Sequence, residues 1–255
     1  MKLTFDQNLF TQIGLDSGSL TMLGGVTHRF LEPGQYRGVV YRNGENLADF
    51  YVNVDKNSPV AQANIDLAAF EPTQAAAATS TTGSTCNCQG ESAKAGTKFE
   101  VNPKGYAVFH VSAGAGGYAV RVSKAAEDPK QQNPFDSREL KGDDIFSAVI
   151  LRPGTYSATN TLGGKEKGKI IVGYPKIGKT AYRPPSPVKV ACSERGFEPG
   201  KLELQPGQAI LFHAAVPTRI TLELTKADDG PADRAAHVRS GWKKAALPDK
   251  KKKKA

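Results

Sequence analysis

The chain has 255 residues, 39% of them hydrophobic, which is enough for packed cores and fits one large domain or two small ones. Its 26 glycines and 16 prolines, set between short apolar runs, favour an all-β chain rich in turns over a helical one. The formal charge is +9, but the run Lys250–Lys254 supplies five of those charges, so the body is only modestly basic and the tail is a separate matter. No apolar run approaches eighteen residues, which excludes a membrane-spanning helix.

In chain order, Met1 to Asn8 is charged and polar where a signal peptide needs an apolar core, which gives an expected cytoplasmic or particle-associated location. Phe30–Tyr36 (FLEPGQY) then reads as a strand ending at a Pro-Gly reversal. Gln35–Tyr41 follows as a strand, Asn43-Gly44 as a short hairpin turn, and Ala48–Val54 as the return strand. Residues 71–97, with Ala75–Ala78 and a Thr/Ser/Gly tract, read as a flexible linker. Lys98–Val111 (KFEVNPKGYAVFHV) alternates through Phe99 and Val101, turns at Pro103-Lys104-Gly105, and continues into Tyr106–Val111 and Tyr118–Val122.

The same signals then recur. Ile150–Tyr156 (ILRPGTY) repeats the first motif, which we term unit B, and is followed by Thr155–Thr159, Gly163-Gly164 and Lys169–Val172. Lys201–Ala214 (KLELQPGQAILFHA) aligns without a gap to Lys98–Val111, which we term unit A, and Arg219–Leu224 alternates after it. Each unit A is expected to be a three-stranded antiparallel element. Pro33 to Pro103 spans 70 residues and Pro153 to Pro206 spans 53, the difference being an insertion in the first linker. The order B, A, B, A points to an internal duplication. Helix is expected only over Ser137–Phe146 and in the polar stretch after Asp229.

Gly196–Phe212 (GFEPGKLELQPGQAILF) resembles the N-terminal strand pair of the cupredoxins, and Pro153–Asn160 with Gly168–Val172 resembles their C-terminal Pro-Gly-x-Tyr hairpin. Together with the weaker first copies of both units the resemblance covers a little over half the chain, and it implies two Greek-key β-sandwich modules. It also implies a copper-ligating cysteine four residues after the tyrosine, where this chain has Asn160 and Val40, and the loop after Asn160 holds neither His nor Met. The scaffold is therefore expected without the family's metal chemistry and without a cofactor.

Because the family carries A before B, residues 98–175 are expected to form one sandwich, and residues 1–70 with 176–230 a second. Residues 71–97 are then a linker and 231–255 a basic tail. The tandem alternative divides the chain into 1–127 and 140–230.

His110 and His213 follow phenylalanine at equivalent strand ends, which suits a repeated metal or proton-transfer group or an inherited strand-end motif. Cys86, Cys88 and Cys192 are an odd number, which fits a reducing compartment. Cys86 and Cys88 precede one unit A and Cys192 the other, so they read as unpaired thiols, as a three-thiol soft-metal site, alone or with the histidines, or as an inter-subunit disulfide. Lys250, Lys251, Lys252, Lys253 and Lys254 would attract polyanions, and equally read as a solvated tail. No nucleophile elbow, P-loop, H-E-x-x-H or C-x-x-C stands in the sequence, and no Asp or Glu is placed as an acid or base. The expected function is a non-catalytic structural or binding component of an assembly with itself or other proteins, and the alternative is a metal-handling or electron-transfer protein.

Overall fold

The computed structural model describes residues 13–72, 96–125, 134–163, 167–174 and 182–228, and their regular structure is strand apart from one 3-10 turn, Leu67–Phe70. Unit B supplies β2 (Gly24–Arg29), β3 (Gly34–Arg42) and β4 (Glu45–Val54) in the first copy. In the second it supplies β10 (Asp144–Val149), β11 (Gly154–Asn160) and β12 (Gly168–Val172). The Pro-Gly step is an arch and not a hairpin, because β2 and β3 lie in different sheets, as do β10 and β11. Gly34 and Gly154 have φ of +145° and +153°, and a Cβ at Gly154 would lie 2.6 Å from the Lys226 carbonyl oxygen. The recurring tyrosine closes the arch. Tyr36 Oη donates to the Glu32 carbonyl at 3.0 Å, and Tyr156 Oη to the Arg152 carbonyl at 2.8 Å. Asn43 and Gly44, with φ of 51° and 89°, form the two-residue hairpin that joins β3 to β4.

Unit A supplies β6 (Thr97–Val101), β7 (Tyr106–His110) and β8 (Tyr118–Lys124), and then β15 (Lys201–Leu204), β16 (Ala209–Ala214) and β17 (Ile220–Ala227). The alternation is as expected, with Leu202 and Leu204 buried and Lys201 and Glu203 exposed. The three strands do not form one antiparallel element. β6 pairs in parallel with β4, β7 crosses to the sheet of β2, and β8 returns beside β3. The turn between β6 and β7 therefore arches between layers, and so does its counterpart between β15 and β16. Gly207 takes φ 79° there and Lys104 takes φ 69°, a left-handed conformation that costs a side chain about 1–2 kcal/mol. Lys104→Gly is expected to raise the unfolding free energy by up to about 1 kcal/mol, read by urea denaturation, since glycine's entropy in the unfolded chain offsets part of the gain.

β5 (Gln62–Asp66) and β13 (Val188–Ser193) run parallel to β7 and β16 respectively, and β14 (Gly196–Glu198) forms a hairpin with β13. Each half thus repeats one set of pairings: β3 with β4 and β8, β4 with β6, β2 with β7. The second half matches with β11 to β12 and β17, β12 to β15, and β10 to β16. Unit B therefore pairs with the unit A of its own copy. This corrects the expectation that residues 98–175 pair into one sandwich and the chain's ends into another. The ladders that hold β11 and β12 come from β15 and β17, while β6 and β8 are taken by β4 and β3.

Two short arms cross between the halves. β1 (Gly14–Asp16) pairs with β17, and β9 (Phe135–Asp136) pairs with β8. Ser137–Phe146 is thus an arm, a turn and the start of β10 rather than a helix. At the end of each arm a buried serine replaces the ladder: Ile220 N donates to Ser17 Oγ (3.1 Å) and Val120 N to Ser137 Oγ (3.0 Å). Ser17→Ala and Ser137→Ala each leave a buried amide without an acceptor, so each is expected to cost about 1–3 kcal/mol in thermal or chemical unfolding, by similar amounts.

The halves meet where β2 pairs antiparallel with β10. Val26 pairs with Phe146, which is also its equivalent 120 residues on, the spacing that separates Tyr36 from Tyr156. A local two-fold axis therefore passes between Val26 and Phe146, normal to the sheet. The result is a seven-stranded sheet, β14-β13-β16-β10-β2-β7-β5, and two five-stranded sheets, β1-β17-β11-β12-β15 and β6-β4-β3-β8-β9. Both smaller sheets pack on the face of the large one that carries Val26, Phe109, Phe146 and Phe212, and the buried apolar residues form one continuous core.

Candidate interaction surface

The other face of the seven-stranded sheet is built from the alternate residues of the same strands. Strand register sets them in rows. One row runs Asp66, His110, Gly25, Ser147, Leu211, Lys189 from β5 to β13. The next runs Asn64, Val108, Thr27, Ile145, His213, Ala191. A sheet with one face in water ordinarily puts polar residues there. Here the outward positions of the four central strands include Val108, Ile145, Val149 and Leu211, all only partly buried. Arg29 lies over the Tyr106 ring, 5.6 Å from its centroid, at one margin.

His110 and His213 both lie on this face, related by the local two-fold, since His110 pairs with Gly25 and His213 with Ile145. β2 and β10 stand between their strands and the two histidines lie two residues apart along them, so they are separated by roughly 16 Å at ordinary strand spacing, too far to share one ion. His213 Nε2 is buried and has no hydrogen-bond partner among the described residues. Cys192 points the opposite way, into the core, and burial pushes its thiol up to about 12. Cys86, Cys88 and Lys250 to Lys254 lie outside the described residues. Among the described residues no group of three His, Cys, Asp or Glu side chains could hold a metal ion.

Two polar clusters were not legible in the sequence. His28 Nδ1 lies 2.7 Å from Asp144 Oδ1 across the β2·β10 junction, and Lys141 N donates to Asp144 Oδ2 at 3.0 Å. The carboxyl is 3% exposed, and the ring stacks on Phe135 with centroids 4.6 Å apart. These two positions are equivalent to Ala148 and Gly24, so half of a signal was visible at each and neither repeats. In the second cluster Tyr118 Oη donates to Glu71 Oε1 at 2.9 Å, and Arg42 pairs with the same oxygen at 2.6 Å. Burial, then the bond to Glu71, pushes the phenol up to about 12. Both clusters knit elements together: His28 and Asp144 join β2 to β10, and Tyr118, Arg42 and Glu71 tie β8 and β3 to the residue after the 3-10 turn.

No helix among the described residues is long and apolar enough to cross a membrane. Comparison with protein-family models, with curated proteins and with solved structures gives no match to this chain.

Proposed function

We propose that this chain is a non-catalytic structural or binding protein, a duplicated cupredoxin-like β-sandwich without the copper chemistry, that joins a larger assembly through the outer face of its seven-stranded sheet. The observation that carries this reading is the composition of that face, where Val108, Ile145, Val149 and Leu211 stand at positions that a solvated sheet gives to polar residues. The halves keep the motifs of the resembled family with unit B before unit A, so the likeness is one of motifs in a rearranged order. The local two-fold at Val26 and Phe146 supports a duplication, because an antiparallel strand paired with its own equivalent is the geometry of a fused two-fold dimer. The Lys250–Lys254 tail would add a salt-dependent contact with polyanions, and the location that suits the reading is cytoplasmic or particle-associated.

The test compares the full chain with a variant carrying Ile145→Lys and Leu211→Lys. The wild type is expected in a species larger than a monomer, with copies of itself or a retained partner. The variant should be a folded monomer. A wild type that is a strict monomer and retains nothing, or a variant whose assembly is unchanged, would overturn the reading.

A further inference from the structure

We infer that the outer face of the seven-stranded sheet packs against the same face of a second molecule of this chain, with the order of strands reversed. This rests on the reading of that face as an assembly surface, and it names the occupant. The face carries its own complement. The row that begins with Asp66 at β5 ends with Lys189 at β13, so opposite charges stand at its two ends. Asp66 is presented rigidly, because its carboxylate accepts from Ala68 N, Ser112 N and the Ser112 hydroxyl. Lys189 is exposed and makes no ion pair among the described residues.

Two sheets stacked face to face can be related by a half-turn about an axis along the strands or across them. An axis across the strands lays Asp66 on Asp66 and Lys189 on Lys189, which repels. An axis along the strands lays each Asp66 on the Lys189 of the other molecule and forms the pair twice. The same half-turn sets His110 over Leu211, Val108 over His213, and Thr27 over Ile145. His213, whose Nε2 lacks a partner among the described residues, is then covered, with Asn64 and Thr27 of the second molecule on either side of its contact. Size reaches the lower bound for a specific contact. The six overlapping strands from β13 to β5, at about 4.8 Å and each five or six residues long at about 3.3 Å, give a face of roughly 29 by 18 Å, on the order of 1,000 Å² buried over two molecules. The local two-fold relates Val108 to Leu211, whereas Ile145 and Val149 on β10 have Gly25 and Arg29 as their equivalents.

The arrangement is tested with single cysteines and a short bismaleimide that bridges about 10 Å, the spacing of packed sheets. Cys86→Ser and Cys88→Ser remove the thiols outside the described residues, and Cys192 stays because its buried, high-pKa thiol does not react. A mixture of the Val108→Cys chain and the His213→Cys chain should give at least tenfold more linked dimer than Val108→Cys alone, because like positions stand about 17 Å apart in the proposed stack. The unsubstituted chain, purified alone, should sediment as a dimer. Val108→Cys linking to itself as well as the mixture does would overturn the reversed order. A purified chain that stays monomeric while Ile145→Lys with Leu211→Lys abolishes retention of another protein would end the self-association proposal and leave the assembly reading standing. If those lysines change nothing, both fall. A monomer whose face binds an apolar dye only after residues 229–255 are removed would show the chain covering its own surface, and would also end the proposal.

Discussion

Gly38→Ala should destabilise the protein by about 3 kcal/mol in denaturant unfolding, the upper range for overfilling a packed core. A Cβ on Gly38 would lie 2.0 Å from Phe50 Cζ and 2.3 Å from two further ring atoms. The ring has no room to retreat, being fully buried with Phe70, Phe99 and Phe109 at centroid distances of 5.7, 5.9 and 6.0 Å. Gly38 and Phe50 face each other in the β3·β4 register, so the ring covers the glycine across the ladder. Their counterparts in the second half are Ala158 and Gly168, which also pair. There Phe197 from β14 fills the space, with ring atoms 3.3 Å and 3.5 Å from where a Gly168 Cβ would stand. Adding Phe50→Leu to Gly38→Ala should recover part of the loss. A Gly38→Ala protein within about 0.5 kcal/mol of the wild type would show that the ring does not occupy that position.

The second large effect is expected at Asp144. Asp144→Ala removes the acceptor of both His28 Nδ1 and Lys141 N from a site that is 3% exposed, and should cost about 3 kcal/mol. His28→Ala should cost less, because the ring is a quarter exposed and its loss leaves Asp144 the Lys141 amide. The double variant should cost less than the sum of the two by about 1 kcal/mol or more, read from a double-mutant cycle in urea. Additivity would show that the pair contributes nothing as a pair. The pair also bears on register. β2 and β10 are near-equivalent strands meeting about a two-fold, and a slip of two residues would keep apolar side chains inward while parting His28 from Asp144.

Local structure was the legible part. Alternation in Lys201–Leu204, the Asn43-Gly44 turn and the recurrent Pro-Gly steps gave strands close to those observed. The layer each strand joins was not legible, because a Pro-Gly reversal looks the same whether it closes a hairpin or arches between sheets. The parallel pairs β4·β6 and β12·β15 follow from that arch and carry no local signature. The arms were within reach: Leu15-Asp-Ser-Gly-Ser-Leu20 and Phe135-Asp-Ser-Arg-Glu-Leu140 share Asp, Ser and Leu at the 120-residue spacing of the tyrosines. Their arginines obscured the match. Arg138 sits within its arm and grips Asp136, while in the other half Gly18 holds that position and Arg219 of the adjoining strand reaches Asp16, with Ala119 as its small counterpart. Of the candidate site, the repeated histidines were legible as a pair. That they stand on one outward face, with Cys192 turned from them, depends on long-range register that no short motif encodes.

The most direct measurement is hydroxyl-radical footprinting of Val108, Ile145, Leu211 and His213 in the full chain, across a range of protein concentration and in the Ile145→Lys, Leu211→Lys variant. The account predicts that these side chains are protected in the concentrated wild type, become reactive on dilution as the assembly dissociates, and that Val108 and His213 are reactive in the variant at every concentration. Equal reactivity of all four in the wild type at every concentration would contradict it.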